Sequence, residues 1–462
     1  MRPFVVRPIS HLEGKVTLPG DKSIAHRSII ISSLSRSPTK IENFPTNQDC
    51  LSTQRAFQKL GIKITQEHPT TCKEPFTAIA VKGKGLLGLV KPKGAISVGD
   101  SGTTFRLLLG VLAGQDFETR LIAGESLSRR PMLRVTAPLR MMGARIRSAS
   151  HVTRHTFQAL RSRLQAPGSI EEYPPIIING GSLKGITYRI PVASAQVKGA
   201  LLLAGLFAQG RTKLIEPVET RDHTERMLEL FKADIKVERN SIVIKGNKEL
   251  VSPKKIYIPG DISSAAFFVV AAALIPDSHV VIKNVSLNPS RIGIIKVLKR
   301  MGADIKVQST EYRVQSTEPM GNIIAKSSRL RSTRVTREEI PSLIDELPIL
   351  MVAAACAKGR TVFEGVGELR VKETDRIRSM LENLRKMGSN IEVPKDERSE
   401  KIIIRGVKQL KAARVRSFGD HRTAMSMVVA ALTAVGNTQI DDISCINKSF
   451  PNFISLLKSL IK

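Results

Sequence analysis

An α/β fold of two similar halves, each holding three helix-then-strand units, is the architecture this sequence predicts, and two recurrences carry that expectation. In the first, a stretch with helical spacing of apolar residues meets Gly or Ala and runs into a short β-like segment. The instances are Leu60-Gly61-Ile62-Lys63-Ile64, Met142-Gly143-Ala144-Arg145-Ile146, Lys232-Ala233-Asp234-Ile235-Lys236, Met301-Gly302-Ala303-Asp304-Ile305 and Met387-Gly388-Ser389-Asn390-Ile391. In the second, a Gly-Asp pair follows a β-like run and precedes an Ala/Leu/Ile-rich stretch. It occurs at Gly20-Asp21, Gly99-Asp100, Gly260-Asp261 and Gly419-Asp420.

Each element has a local reason. Gly beyond the last helical turn takes the left-handed conformation that caps a helix C-terminus. The alternation after it reads as a strand. From 61, 143, 233, 302 and 388 the steps are 82, 90, 69 and 86 residues, and the stretch from Phe453 to Ile461 supplies a sixth helix. The unit is therefore roughly 75–80 residues. At the Gly-Asp turns, Asp, Ser and Thr can accept from the free N–H groups of a helix start, and such starts also bind anions. Leu18-Pro-Gly-Asp-Lys-Ser-Ile24 and Ile258-Pro-Gly-Asp-Ile-Ser-Ser264 are close relatives lying 261 − 21 = 240 residues apart, which divides the chain into halves.

Composition narrows the function classes. The chain has 462 residues, and 72 Lys+Arg against 41 Asp+Glu leave a formal charge of +31. A 42% hydrophobic share supports real cores and excludes a mainly disordered chain. No uncharged apolar run of about 18 residues is present, so no membrane-spanning helix is expected. Neither a secretory signal nor a transit peptide is expected at the N-terminus. Cys50, Cys72, Cys356 and Cys445 form no CxxC pair or metal-ligand spacing and read as reduced thiols of a cytoplasmic protein, with Cys356 a small core residue. The charge fits a nucleic-acid binder, an enzyme for anionic substrates or a solvated basic surface. Aromatics are only 4%, with no Trp, so stacking platforms for bases are scarce.

Basic residues gather at the turns. Ser23 and Arg27 are i and i+4 on one helical face, next to Lys22 and His26. Beside free N–H groups they make a phosphate-sized anion site. Thr103, Thr104 and Arg106 follow the second turn, and His421-Arg422 completes the fourth. Arg129-Arg130-Pro131 and Lys372-Glu373-Thr374-Asp375-Arg376 add further cations. A single Arg among these is ordinarily a solvated surface residue; together they suggest several anion positions converging in a cleft between halves. Asp345 opens an apolar run and is either a helix N-cap or a carboxylate placed to move protons, and Glu373 is open in the same way.

The chain resembles the 5-enolpyruvylshikimate-3-phosphate synthase family throughout its length. The carrying segments are Leu18–Ser28 (LPGDKSIAHRS), Gly99–Leu107 (GDSGTTFRL), Ser128–Leu133 (SRRPML), Ala193–Gly199 (ASAQVKG), Arg221–Arg226 (RDHTER), Asp345–Met351 (DELPILM), Leu369–Arg378 (LRVKETDRIR) and Gly419–Met427 (GDHRTAMSM). The Ala193 and Arg221 segments are similar to the class II bacterial branch. One signature of that branch departs mildly here, as Asn288-Pro289-Ser290-Arg291, with Ser keeping the hydroxyl.

The resemblance implies a two-domain inside-out α/β barrel of six βαβαββ units, three per domain, with helices inside and sheets outside. It puts domain 1 at 21–258 and domain 2 at 1–20 plus 259–462, with crossovers at the first and third Gly-Asp turns. It implies transfer of the enolpyruvyl group of phosphoenolpyruvate to the 5-hydroxyl of shikimate 3-phosphate, a step of the shikimate pathway toward chorismate and aromatic amino acids. Lys22, Ser23, Arg27, Ser194, Ala195, Gln196, Arg221, Asp345 and Lys372 match positions that hold shikimate 3-phosphate. Lys22, Gly102, Arg130, Gln196, Arg376 and Arg422 match positions around phosphoenolpyruvate. Lys22, Asp345 and Glu373 match the proton-transfer groups. A substrate-contacting Lys near the C-terminus in one branch is matched by Ser444, so that role is unassigned here. No metal or organic cofactor, membrane or nucleic acid is implied, and the expected form is a cytoplasmic monomer. Glyphosate competes with phosphoenolpyruvate in this family, and Gly102 leaves room for it.

Two rivals come from other classes. A sister enolpyruvyl transferase acting on a UDP-sugar uses a loop Cys, but Gly124 to Pro131 holds none. An RNA-binding protein would show salt-dependent RNA affinity.

Overall fold

The computed structural model describes residues 3–67, 77–148, 171–309, 318–394 and 400–462. Its strands make six sheets, five of four strands and one of three. The second unit shows the plan. Strand Ile96–Ser97 leads to helix Gly102–Ala113, strand Glu118–Ile122, helix Leu133–Met141 and strands Arg145–Ser148 and Ile176–Asn179. Ile96–Ser97 runs parallel to Glu118–Ile122, and the other two strands follow antiparallel.

Three sheets borrow an edge strand from a distant part of the chain, two of them where the chain passes between the halves. Lys255–Tyr257 pairs in parallel with Thr39–Phe44 of the first unit. Glu13–Thr17 pairs in parallel with His279–Ser286 of the fourth. The chain thus passes between the halves twice, and the two passages are bonded to each other: Gly20 bridges Gly260, and Asp21 N–H donates to Pro259 O at 2.8 Å. A Cβ on Gly20 would lie 2.1 Å from Asn43 O, so only Gly fits there. The three-stranded sheet closes the sixth unit with Phe4–Val6 and Arg414–Val415 flanking Thr438–Ile440.

In each unit the first helix is buried nearly all round, as in Lys22–Ser33, Gly102–Ala113, Ile262–Leu274 and His421–Leu432. The next helix buries one face only, as in Gln48–Lys59 and Arg376–Lys386. An apolar-all-round sequence belongs at the centre and an amphipathic one outside. Buried apolar side chains form two cores, one from Ile24 to Ile258 and one from Val6–Leu18 plus Ile262–Leu460.

The repeat is real, with a one-residue correction in the third unit. Gly61, Gly143, Gly302 and Gly388 have φ of +85°, +113°, +91° and +84°. In the third unit the left-handed residue is Lys232, φ +60°, and Ala233 is the next position on, bonding Leu228 O as Ile62 bonds Phe57 O. A left-handed Lys costs roughly 1–2 kcal/mol more than Gly. Cys356 also differs from its expected core role: it is half-buried at a helix C-cap. Cys72 lies outside the described residues. No helix among the described residues is long and apolar enough to cross a membrane.

Candidate active site

The turns do what their residue types allow. Asp21, Asp261 and Asp420 accept from N–H groups of the helices they open, at 3.0, 2.8 and 2.8 Å. The second turn differs: Ser101, not Asp100, caps its helix, accepting from Thr104 N–H at 3.3 Å. Asp100 instead accepts from Leu127 N–H at 3.2 Å. Ser194 caps the helix Ala195–Gly205, accepting from Val197 N–H at 3.4 Å. The helix starts therefore present Lys22 and Ser23, Gly102 and Thr103, Ala195 and Gln196, and His421 and Arg422 at one place.

Side chains from both halves meet there. Arg221 Nη2 donates to Asp345 Oδ2 at 2.6 Å. Asp345 also lies 3.5 Å from Arg376 Nη1 and 3.7 Å from Arg422 Nη2. Asp345 is not a helix N-cap, because Glu346 holds that position. Arg376 Nη2 donates to Glu373 Oε2 at 2.5 Å and its Nε to Asp420 Oδ2 at 2.9 Å. Glu373 is consequently no exposed helix pair with Lys372. Lys22 Nζ donates to Asp49 Oδ2 at 2.9 Å. Arg27 donates to Thr224 Oγ1 at 2.6 Å and to Ser23 O at 2.8 Å. Arg106 Nη1 donates to Gln196 Oε1 at 2.6 Å, and Gln196 Nε2 donates to Thr103 Oγ1 at 3.0 Å. A Cβ built on Gly102 would lie 2.9 Å from Arg130 Nη1 and 3.0 Å from Arg106 Nη1, so both guanidiniums lie against that glycine.

The electrostatics follow from burial and neighbours. Burial opposes the Asp345 charge, but Arg221, Arg422, Lys372 and Arg376 overcome it and hold the carboxyl well below the usual range. Glu373 is held low in the same way, against burial, by Arg376, Arg130 and other cations. Burial also works against the Lys22 ammonium, yet Asp49 keeps it charged and moves its pKa up. Burial lowers Arg27 to about 10 and Lys372 below its ordinary value. Burial, then Arg130 and Arg134, push Arg106 well down. His421 is lowered to about 4 by burial and stays neutral, with neither ring nitrogen partnered. Among the described residues Arg27, Arg106, Arg130 and Lys372 have no carboxylate within ion-pair distance, while Lys22, Arg221, Arg376 and Arg422 do. No cluster of His, Cys, Asp or Glu among the described residues is arranged to hold a metal ion.

Several members of the site escaped the sequence reading. Asp49 has no signal beyond lying on the helix after the first turn. Arg106 was visible as a cation after the second turn, but nothing marked it as buried at 5% exposure. Lys448 reaches Asp100 at 3.4 Å across the halves, whereas Ser444 turns to Asp442.

Residues 6–457 match the family model described as EPSP synthase (3-phosphoshikimate 1-carboxyvinyltransferase). A 3-phosphoshikimate 1-carboxyvinyltransferase of Desulforamulus reducens is 44% identical over 458 residues, covering 99% of each chain. One of Geobacillus kaustophilus is 44% identical over 455 residues, covering 98% of this chain and 99% of the relative. The solved EPSP synthase of Acinetobacter baumannii superposes with a TM-score of 0.82 at 39% identity, covering 100% of this chain and 98% of its own. The enolpyruvyl transferase NikO of Streptomyces tendae, at 16% identity and a TM-score of 0.75 over 99% of this chain and 97% of its own, shares the fold. Two cores and six sheets are therefore those of the enolpyruvyl transferase fold, and the chain belongs to the EPSP synthase family.

Proposed function

We propose that the cleft holds shikimate 3-phosphate and phosphoenolpyruvate together and joins them. The chain transfers the enolpyruvyl group of phosphoenolpyruvate to the 5-hydroxyl of shikimate 3-phosphate, releasing phosphate. The observation that carries this is the set of four cations, Arg27, Arg106, Arg130 and Lys372, with no carboxylate partner among the described residues. The two substrates bring two phosphates and two carboxylates, which are the counter-charges such cations lack. Ser23, Arg27, Ser194, Ala195, Gln196, Arg221 and Lys372 are read as the shikimate 3-phosphate side. Gly102, Arg130, Gln196, Arg376 and Arg422 are read as the phosphoenolpyruvate side, with Lys22 reaching both.

Asp345 and Glu373 start ionised, each held so by arginines. When substrate anions draw those arginines, the carboxylates lose stabilisation and become better bases. Asp345 is then placed to take the 5-hydroxyl proton as its oxygen bonds to C2. C3 gains a proton from the Lys22 ammonium, because Glu373 starts as a carboxylate and acts only as an acceptor there. Elimination reverses the traffic: C3 returns its proton to the Lys22 amine or the Glu373 carboxylate, the C=C bond re-forms, the C2–O bond to phosphate breaks and phosphate leaves. Catalysis is positioning and charge stabilisation by fixed donors.

We read residues 21–258 as one domain and residues 1–20 with 259–462 as the other. We take the chain to work as a monomer in the cytoplasm. Phosphorus NMR of purified protein with both substrates tests the reading. The phosphoenolpyruvate signal should become inorganic phosphate while the shikimate ester phosphorus stays an ester; loss of the ester instead would refute it.

A further inference from the structure

Arg291 closes Asn288-Pro289-Ser290-Arg291, the segment whose role the chemistry above leaves unused. It is 2% exposed and stands where the chain passes between the halves. Its Nη1 lies 3.4 Å from Asp21 Oδ2 and 3.3 Å from His223 Nε2. Its Nη2 donates to Ser263 Oγ at 2.7 Å and lies 3.7 Å from Asp261 Oδ1 and 3.9 Å from Glu346 Oε1. Asp21 and Asp261 follow the two glycines that bridge the passages, and each caps the first central helix of its half. Ser263 also hydrogen-bonds Glu346.

These contacts close a ring around the reacting carboxylate. Glu346 Oε1 lies 3.7 Å from Arg422 Nη1, which donates to Asp345 O at 2.8 Å. Asp345 pairs with Arg221 at 2.6 Å. Two residues beyond Arg221, His223 returns the ring to Arg291, with its Nδ1 2.7 Å from Glu318 Oε1. The side chain of Asp222, between them, accepts from Asn288 Nδ2 at 2.6 Å and from Ser290 Oγ at 3.2 Å. Arg291 thus touches both interdomain passages, residue 223 from one half and residue 346 from the other. The last two are near neighbours in sequence of Arg221 and Asp345.

We propose that Arg291 is a positioning residue for the transfer reaction: it sets the register of the two halves so that Asp345 and Arg221 meet across the cleft. The proposal rests on the reading of Asp345 as the proton-transfer carboxylate. A planar fork can reach Asp21, Ser263, Asp261 and Glu346 at once, whereas an ammonium is a single point of charge. Arg291→Lys therefore keeps the buried charge but not its spread. A misplacement of about 1 Å at a reacting group costs on the order of 10²-fold in rate.

The experiment compares wild type, Arg291→Lys and Arg291→Met. It measures thermal melting, shikimate 3-phosphate affinity, kcat with both substrates, and small-angle scattering without ligand. The Met variant leaves buried carboxylates uncompensated, so the Lys variant decides if Met does not fold. Expected for Arg291→Lys is a melt near wild type, shikimate 3-phosphate affinity within about threefold, kcat down roughly tenfold or more, and a larger ligand-free radius of gyration. Unchanged kcat or unchanged scattering in the folded Lys variant would overturn the proposal, as would kcat and affinity falling in parallel. An inactive wild type refutes the reading of the reaction, and the scattering arm still judges Arg291.

Discussion

Arg221 Nη2 and Asp345 Oδ2 stand 2.6 Å apart although 124 residues separate them in the chain. They lie in the stretches of chain that build different hydrophobic cores, so the distance between them measures how the halves face each other. Asp345 is held ionised chiefly by Arg221 and Arg422 against its own burial. Asp345→Asn keeps the shape and removes the base. It should lower kcat by about 10²- to 10⁴-fold and also lower the melting temperature at neutral pH, because the surrounding cations lose the charge they stabilise. A folded Asn variant with full phosphate release would remove Asp345 from the proton path.

Gly102 carries the second prediction. A methyl group there would crowd the Arg130 and Arg106 guanidiniums at 2.9 and 3.0 Å. Both are ends of long side chains, so the fold should survive while the phosphoenolpyruvate pocket tightens. Gly102→Ala is expected to raise the KM for phosphoenolpyruvate and to shift glyphosate inhibition to higher concentration, each by roughly tenfold or more. Superimposable inhibition curves for wild type and variant would count against placing phosphoenolpyruvate over Gly102.

The third concerns Lys198, 1% exposed, whose Nζ lies 2.6 Å from Glu225 and 3.0 Å from Glu216. It also donates to Thr220 O at 3.3 Å, one residue before Arg221. Lys198→Met leaves two buried carboxylates facing each other and should cost about 3–5 kcal/mol. Denaturant titration reads this directly, and a variant as stable as wild type would show that the ammonium is dispensable.

Asp261 gives a pH dependence. Burial, then the neighbouring Asp21 carboxylate, raise it to about 6. Its folded value lies above an unfolded value of about 3.9. Its contribution to stability is therefore fully present below about pH 4 and is lost as pH rises through about 6. Asp261→Asn keeps a helix cap and removes the charge. The variant should gain melting temperature over wild type at pH 8 and show little or no gain at pH 4.5. A larger gain at pH 4.5 than at pH 8 would reverse the sign assigned to this group.

The fold was readable because its signals are local. A left-handed glycine after a helix and an Asp before one act within a few residues, so Gly61, Gly143, Gly302 and Gly388 announced the repeat directly. The third unit was read one residue late because Lys232 takes that conformation without a glycine to mark it. The site was readable only in its residue types. Whether Asp345 was a cap or a cleft carboxylate depended on Arg221, and the partners of Arg291 lie up to 270 residues away. Asp49 and Arg106 earn their places through Lys22 and Gln196 on other elements. The charge excess divides in a similar way. Arg329, Arg331, Arg334 and Arg337 are exposed, and Arg334 and Arg337 pair with Glu364 and Glu400. The cleft cations are fewer and more buried.

Phosphate release under substrate pairing is the most direct test. Purified protein is given phosphoenolpyruvate alone, phosphoenolpyruvate with shikimate 3-phosphate, and phosphoenolpyruvate with a UDP-N-acetyl sugar. Phosphate should appear only with shikimate 3-phosphate present. Release with the UDP-sugar, release from phosphoenolpyruvate alone, or none in any mixture would contradict the assignment of this cleft.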